Sequence, residues 1–368
     1  MKITVARQEL LDTVNKVKSV VSAKTALPIL SHVLLEAEGS SLRVTATDLK
    51  VSIECSADCT VQKVGSLTVS CQRLHSILSE LPEADVQLSL LENNIVELEC
   101  NGILTRLYSL SPDEFPPMRS FDGIEPLVFK QSVLKKLFTK TSFAICTDQS
   151  RYNLTGLLFQ ISNGRLVVVA TDGRRMSLAI EEEGISSDVE VKVIIPSKMI
   201  HELERLLGDD ELVKVYIDES QAGFFFDNVR VVTSLIEGNF PNYEMVVPQK
   251  HDKEVICNNE KFIEAMRRTR TMTNEKFNSV RFKISADTIL LQVSTPEVGD
   301  YKEDLDITYG GEPMEIAFNP DFILDVLRRI ESEKVCLILK DANSPGVIKP
   351  YTDAPLDTYI NVIMPIRL

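Results

Sequence analysis

The sequence contains no tryptophan, and aromatic residues make up only 6% of its 368 positions. That leaves no interleaved stacking platform of the kind single-strand nucleic-acid binders present. Histidine is equally scarce: His32, His75, His201 and His251 fall at unrelated places, and none belongs to a metal-spaced set. The seven cysteines are odd in number and form no CxxC pair. Cys55 and Cys59 come nearest, with no second pair or histidine cluster to complete a zinc site. They read as buried or half-buried free thiols of a reducing cytoplasm. No apolar run approaches the ~18–20 residues needed to span a bilayer, and runs such as Leu166 to Ala170 have strand length. The start, MKITVARQEL, alternates polar and apolar residues without the apolar core of a signal peptide, so a cytoplasmic location is expected. There is no P-loop, no GxGxxG after a strand and no GxSxG elbow. An enzyme is not expected, nor is a cofactor or a metal.

Positive charge is also short. Forty basic against 54 acidic residues give −14, which argues against a conventional nucleic-acid binder. The content of 44% hydrophobic and 26% charged residues is that of an ordinary globular protein, and the length fits two or three domains.

What the chain does have is repetition. LRVTATD at Leu42 to Asp48 returns 124 residues later as LVVVATD at Leu166 to Asp172. A third copy, ILLQVST at Ile289 to Thr295, follows after 123 residues and lacks the aspartate. Phe115-Pro116 returns as Phe240-Pro241 at an offset of 125, and Pro365 lies 124 beyond Pro241. Three units of about 123 residues follow, with boundaries at 1–122, 123–250 and 251–368. The joints near Asp122-Gly123 and Gln249 to Lys253 are short and polar, as in abutted domains.

Each unit carries two helical patterns among short strand-like segments. The first helices are expected at Arg7 to Val20, Gln131 to Phe143 and Asn259 to Met272. Leu10, Leu11, Val14 and Val17 mark one buried face. The second helices are expected at Gln72 to Leu81, Ser197 to Leu207 and Asp321 to Ile330, with Ser197 and Asp321 as N-caps and Pro82 and Gly208 as stops. Gly39-Ser40, Asn93-Asn94 and Asn163-Gly164 fit hairpin turns. The fold class is α+β: three repeated domains, each with two helices on antiparallel sheet.

The charges are segregated among these helices. With flanks, the first helices (7–24, 130–140 and 260–270) carry +2, +4 and +2. The second (72–83, 197–210 and 321–334) carry −1, −2 and −1, so the remainder of the chain carries −18. Lys16, Lys18, Lys24, Lys135, Lys136, Lys140, Arg267, Arg268 and Arg270 are the members of a basic surface. Such helices serve either as solvated faces with cations at their C-termini or as a sequence-indifferent phosphate surface. The sharpest charged cluster is Asp172-Gly173-Arg174-Arg175. It fits a site for a phosphate or carboxylate, and equally a strand-ending turn with a buried Asp–Arg pair. Glu181-Glu182-Glu183 reads as a solvated loop.

A family resemblance covers the whole chain in order. MKITVARQELLDTV, LPILSHVLLE (Leu27 to Glu36), TDLK, SRYNLTGLLF (Ser150 to Phe159), VATDGRRMSL (Val169 to Leu178), EGNFPNYEMVVP (Glu237 to Pro248), NEKF (Asn274 to Phe277) and the terminal VIMPIRL resemble the bacterial DNA sliding clamp, the beta subunit of DNA polymerase III. The resemblance implies the DNA clamp fold and a ring-shaped homodimer, with two subunits head to tail. Helices would line a hole through which duplex DNA threads without sequence preference. It also implies a non-catalytic processivity factor of DNA replication, working with the clamp loader, the replicative polymerase and other carriers of clamp-binding peptides, with no membrane partner. Those peptides would dock between the second and third domains.

Carried over by motif, the peptide pocket comprises Leu154, Thr171, Gly173, Arg174, Arg175 and Met176 from the central unit, with Pro241, Met245 and Val246 after it. Phe322, Val362, Met364, Pro365 and Ile366 complete it. Lys24, Arg73, Gln149, Arg151 and Tyr152 are the implied DNA contacts. Leu107 and Thr271-Met272 mark the dimer seam, where a polar threonine implies a weaker dimer than in relatives. Met245 stands where the family often has Arg, and Asn153 where an aromatic is common. Two other classes compete: a repeat-built scaffold that binds peptides and never encircles DNA, and an enzyme with an acid–arginine site at Asp172 and Arg175.

Overall fold

Alternation of apolar and polar residues at period two dominates the chain and dictates strands with one buried face. In the computed structural model these strands assemble into four antiparallel sheets among the described residues, which are 1–22, 25–185, 188–209, 211–247, 253–352 and 358–367. Lys24 and most of the 249–253 joint lie outside them.

Among the described residues six α-helices accompany the sheets, two per repeat: α1 (Arg7–Val17), α2 (Cys71–Glu80), α3 (Gln131–Thr141), α4 (Ser197–Leu206), α5 (Asn259–Arg270) and α6 (Pro320–Leu327). The α+β class read from the sequence is the one observed. Details at the helix ends differ. The apolar periodicity after α1 and α3 continues as tight 3-10 turns, Lys18–Val20 and Ser142–Ala144, because the last turn contracts to satisfy its carbonyls. Asp321 is not the cap of α6. Asn319 is, its side chain accepting from Asp321 N at 2.8 Å, with Pro320 preset for the first helical position. Ser197 likewise is the first residue within α4 and not its cap. The expected turns are present. Asn163 and Gly164, at φ 52° and 70°, close the hairpin where Ser162 faces Arg165.

The chain divides into two compact units, and the division runs through the central repeat, within α3 and α4. The first unit comprises Met1–Lys135 and His201–Leu235. It holds a five-stranded sheet in the order Thr60–Lys63, Lys2–Ala6, Asp85–Leu90, Ile95–Cys100, Ile103–Tyr108. Its eight-stranded sheet runs Leu127–Lys130, Leu212–Ile217, Gln221–Phe226, Val229–Ser234, Val51–Asp58, Ser41–Thr47, His32–Glu38, Gly65–Ser70. Leu10, Val14 and Val17 of α1 and Leu74 and Leu78 of α2 are fully buried where these helices pack together and on the sheet. Burying such side chains contributes roughly 1.5–3 kcal/mol each.

The second unit comprises Lys136–Ile200 and Ile236–Leu368. Its nine-stranded sheet runs Val191–Pro196, Gly156–Ser162, Arg165–Thr171, Arg175–Glu181, Tyr359–Ile363, Gly346–Pro350, Lys334–Leu339, Lys253–Asn258, Thr308–Tyr309. Its four-stranded sheet runs Gly299–Asp306, Thr288–Thr295, Val280–Ile284, Met314–Phe318. Helices α5 and α6 pack here over an aromatic core, with Phe262 edge-on to Phe282 at 6.0 Å and Phe282 edge-on to Phe318 at 5.6 Å.

Two ladders join strands of successive repeats. Val229–Ser234 pairs with Val51–Asp58, with Val231 opposite Ile53. Arg175–Glu181 pairs with Tyr359–Ile363, with Met176 opposite Val362. The repeats are thus stitched by backbone hydrogen bonds as well as by apolar contact. The seven cysteines are free thiols, six buried and Cys59 half-buried.

Candidate functional site

The Thr171–Arg175 turn is built by its own side chains. Asp172 Oδ1 accepts from the backbone N of Arg174 at 2.9 Å and of Arg175 at 3.0 Å, and Thr171 Oγ1 accepts from Gly173 N at 3.0 Å. Gly173 sits at φ 81°, the left-handed conformation such a turn needs at that point. The same construction stands 124 residues earlier. Asp48 Oδ1 accepts from Lys50 N and Val51 N, and Leu49 N donates to Thr47 Oγ1.

What distinguishes the second copy is Arg175, which replaces the buried Val51. Its guanidinium donates from Nε to Asp172 Oδ2 at 3.1 Å, from Nη1 to Asp325 Oδ2 at 2.7 Å and from Nη2 to Phe143 O at 2.7 Å. It also lies over the rings of Phe322 at 4.5 Å and Phe143 at 5.3 Å. With 12% of its side chain exposed, this arginine is a brace between the turn, the end of α3 and helix α6. The buried Asp–Arg pair, one of the alternatives open from sequence, is therefore present, and Arg175 shapes the site more than it offers charge to it.

Beside this turn lies an apolar cavity of ≈ 130 Å³. Leu154, Met176, Phe240 and Val362 belong to the core beneath it. Thr171, Gly173, Arg174, Arg175, Pro241, Val246 and Met364 complete it together with Tyr243. The tail is held in place by backbone bonds from Met364 N to Arg174 O at 2.9 Å and from Ile366 N to Ala317 O at 2.8 Å. Burial, reinforced by Glu244, pushes the Tyr243 phenol above its ordinary pKa.

Four residues expected in the pocket stand elsewhere. Met245 is 83% exposed, pointing away within its short turn. Phe322 supports Arg175 from outside the cavity. Pro365 lies in the tail segment outside the cavity, and Ile366 lines a neighbouring groove. Phe240 and Tyr243 were missed by the sequence reading. The signal was available, because Phe240-Pro241 is one of the repeat landmarks and Leu154 and Phe240 repeat the buried pair Leu30 and Phe115.

The basic helices are less free than their composition. Lys18 Nζ is 2.9 Å from His75 Nε2, Lys135 pairs with Asp209 at 3.6 Å, Arg270 with Asp321 at 2.5 Å, and Arg268 with Glu303 at 2.5 Å. The last bond holds the Glu303 carboxyl below its ordinary pKa. Lys140 packs over Tyr359 at 4.8 Å, and burial, helped by Lys136, lowers its pKa. Lys136 and Arg267 are exposed and make no ion pair among the described residues. Of the expected DNA contacts, Arg73 is exposed on α2, and Gln149, Arg151 and Tyr152 share the 3-10 segment Gln149–Leu154. Arg151 Nη1 donates to Asp172 O at 2.5 Å, so it buttresses the pocket turn. Asn153 donates to Asn239 O at 2.8 Å.

Three family models of the DNA polymerase III beta subunit match in succession: the N-terminal domain over 1–119, the central domain over 128–242 and the C-terminal domain over 244–367. The chain belongs to the bacterial beta sliding clamp family. It is 33% identical over 368 residues to the beta sliding clamp of Chlamydia muridarum, covering 100% of this chain and 99% of that one. The beta sliding clamp of Pseudomonas putida is 33% identical over 371 residues, covering 100% of both. A DnaN sliding clamp (DNA polymerase III subunit beta) from Pseudomonas aeruginosa, solved bound to griselimycin, superimposes with a TM-score of 0.95 at 32% identity over 100% of both chains. The DNA polymerase sliding clamp from Bacillus subtilis gives 0.96 at 27% identity, covering 100% of this chain and 99% of that one. The chain is accordingly a processivity factor of DNA replication, a non-catalytic subunit that acts with DNA and polymerase and dimerises. The enzyme and pure-scaffold readings fall.

Removing the brace has a calculable consequence. Arg175→Ala leaves the Phe143 carbonyl and the Asp325 carboxylate without their strongest donor. Equilibrium urea unfolding is expected to show a loss of about 2–3 kcal/mol, discounted for the partial exposure of Asp325. Unchanged stability would mean that the guanidinium network carries no weight.

Proposed function

We propose that the chain closes into a head-to-tail homodimeric ring around duplex DNA and presents the Thr171–Met176 pocket to clamp-binding peptides. The replicative polymerase, the clamp loader and other partners carry those peptides. The domain boundaries 1–122, 123–250 and 251–368 are part of this reading, and the spans of the three family models support them. So is a cytoplasmic location, where a bacterial replication clamp meets its DNA. No helix among the described residues is long and apolar enough to cross a membrane.

The observation that carries the peptide reading is the cavity itself. It is small and apolar, with Met364 of the tail, 41% exposed, as one wall and the Asp172-braced turn as another. A slot of this kind suits a peptide with one or two Leu or Phe anchors, since affinity concentrates in such desolvated contacts.

Ring closure is supported by the logic of the repeats. In steps of 124 residues, the strand beginning at Val51 corresponds to that beginning at Arg175 and then to that beginning at Gly299. Val229–Ser234 and Tyr359–Ile363, the partners of the first two, correspond to Ile103–Tyr108. Ile103–Tyr108 and Gly299–Asp306 are edge strands. An edge strand left open is a template for pairing with another chain. Pairing of these two between copies repeats the internal seams and sets Leu107 opposite Gly299. Met272 lies beside that glycine, its Cε 3.6 Å from where a Cβ would stand, and Thr271 is exposed next to it. For DNA, Arg73, Gln149, Tyr152 and the uncommitted Lys136 and Arg267 supply weak, salt-sensitive phosphate contacts.

Deleting 364–368, or replacing Met364 by Ala, tests the pocket. Fluorescence polarisation with a QLxLF-type peptide is expected to show no measurable binding after the deletion and about a tenfold weaker Kd for the point variant. Peptide affinity indifferent to both would refute the assignment.

Sedimentation equilibrium tests the seam. The expected result is a dimer weaker than subnanomolar, because Thr271 places a polar side chain there, and a monomer for Leu107→Asp. A subnanomolar dimer would contradict the threonine argument, and a dimeric Leu107→Asp variant would displace the seam.

A further inference from the structure

A second depression adjoins the pocket, and its chemistry is different. It is a groove of ≈ 980 Å³ whose floor is the outer face of the four-stranded sheet. There Lys302, Gln292 and Arg281 lie in one cross-strand row, paired in register as Lys302 with Gln292 and Gln292 with Arg281. The loop Glu275–Ser279 forms one wall, with Phe277 46% exposed, and the tail at Ile366 and Arg367 forms another. Arg174 lines both this groove and the apolar pocket, so the two are continuous.

The charge around the groove opposes that of the molecule. Five cations, Arg174, Lys276, Arg281, Lys302 and Arg367, face two carboxylates, Glu275 and Asp300, in a chain of net charge −14. Arg281 pairs with Glu315 at 2.9 Å. The side chains of Arg174, Lys276, Lys302 and Arg367 are exposed and make no ion pair or hydrogen bond among the described residues. A cluster of uncompensated cations raises the local concentration of anions and favours an acidic occupant.

We infer that this groove binds an acidic stretch flanking the anchor residues of a docked peptide, so that partners are ranked by the charge beside their anchors as well as by the anchors themselves. The inference rests on the reading of the adjoining pocket as the peptide site. Continuity through Arg174 supplies the geometry, since a peptide seated on Met176 and Val362 must leave past that side chain or in the opposite direction. Exposed ion pairs are individually weak, and two or three of them together give a gain of about three- to tenfold. That is sufficient to order competing partners without locking any of them in place.

The test uses the full-length protein and fluorescence polarisation. The probes are the QLxLF-type core, the core with four Asp or Glu residues added at either end, and matched extensions of Ser and Gly. One acidic peptide is expected to bind about three- to tenfold tighter than its neutral counterpart at low salt. The advantage should vanish at high salt and in the double variant Lys276→Glu/Arg281→Gln, which should bind the core peptide as the parent does. Equal binding of acidic and neutral extensions at both ends overturns the inference, as does an advantage that survives in the variant. If a single-stranded oligonucleotide binds in a variant-sensitive manner while acidic extensions have no effect, the groove serves nucleic acid and the inference falls. Failure of the core peptide to bind the parent protein is a separate result that removes the pocket reading and this one together.

Discussion

The site depends on one backbone ladder, the antiparallel pairing of Arg175–Glu181 with Tyr359–Ile363. This ladder fuses strands of the second and third repeats into a single nine-stranded sheet. At its end, the chain leaving Ile363 runs directly beside the Asp172 turn, and Met364 N continues the pairing onto Arg174 O. A tail that would otherwise fray is thereby held as a wall of the cavity. Arg175 stands at the same end and ties the turn to α6 and to the Phe143 carbonyl. Without that ladder, Leu154, Met176 and Phe240 would form the lining of an open surface and not a pocket.

The electrostatics follow a similar division of labour. Two of the four arginines of the basic helices are committed to neighbouring carboxylates, Arg268 to Glu303 and Arg270 to Asp321, and Arg7 is spent on the carbonyls of Leu78 and Ser79. What remains for phosphate is sparse and exposed, and such contacts are weak and yield to salt. For a protein that must travel along DNA, weak contact is an advantage, because retention is then a matter of topology and not of affinity. Outside the six helices and their flanks the chain carries a net −18, and away from the cationic groove beside Arg174 that excess discourages stray contact with nucleic acid.

Much of this was legible in the sequence, and the reasons are local. The repeats stand out because Thr47-Asp48 and Thr171-Asp172 make the same turn by the same side-chain bonds, which constrains residue type at fixed spacing. The third copy loses the aspartate, and Thr295 turns instead to Met272 O. The helices were visible from their periodicity. Their ends were not, because the choice of Asn319 over Asp321 as cap rests on where Pro320 falls. Long-range commitments were also hidden. Nothing adjacent to Arg175 announces Asp325, which lies 150 residues away. Nor does the composition of α3 show that Lys140 is packed on Tyr359, whose phenol burial pushes up to about 12. The sharing of the central repeat between two units was likewise hidden, because it arises from strand pairing at the seams and not from any change in composition.

Encirclement is the central claim, and retention on DNA tests it most directly. The protein is loaded onto nicked circular plasmid with its cognate loader and ATP, the complex is isolated, and half of it is linearised. Retention on the circle with loss from the linear form is the predicted result. Equal retention on both would mean that phosphate or groove contacts hold the protein, contradicting the ring.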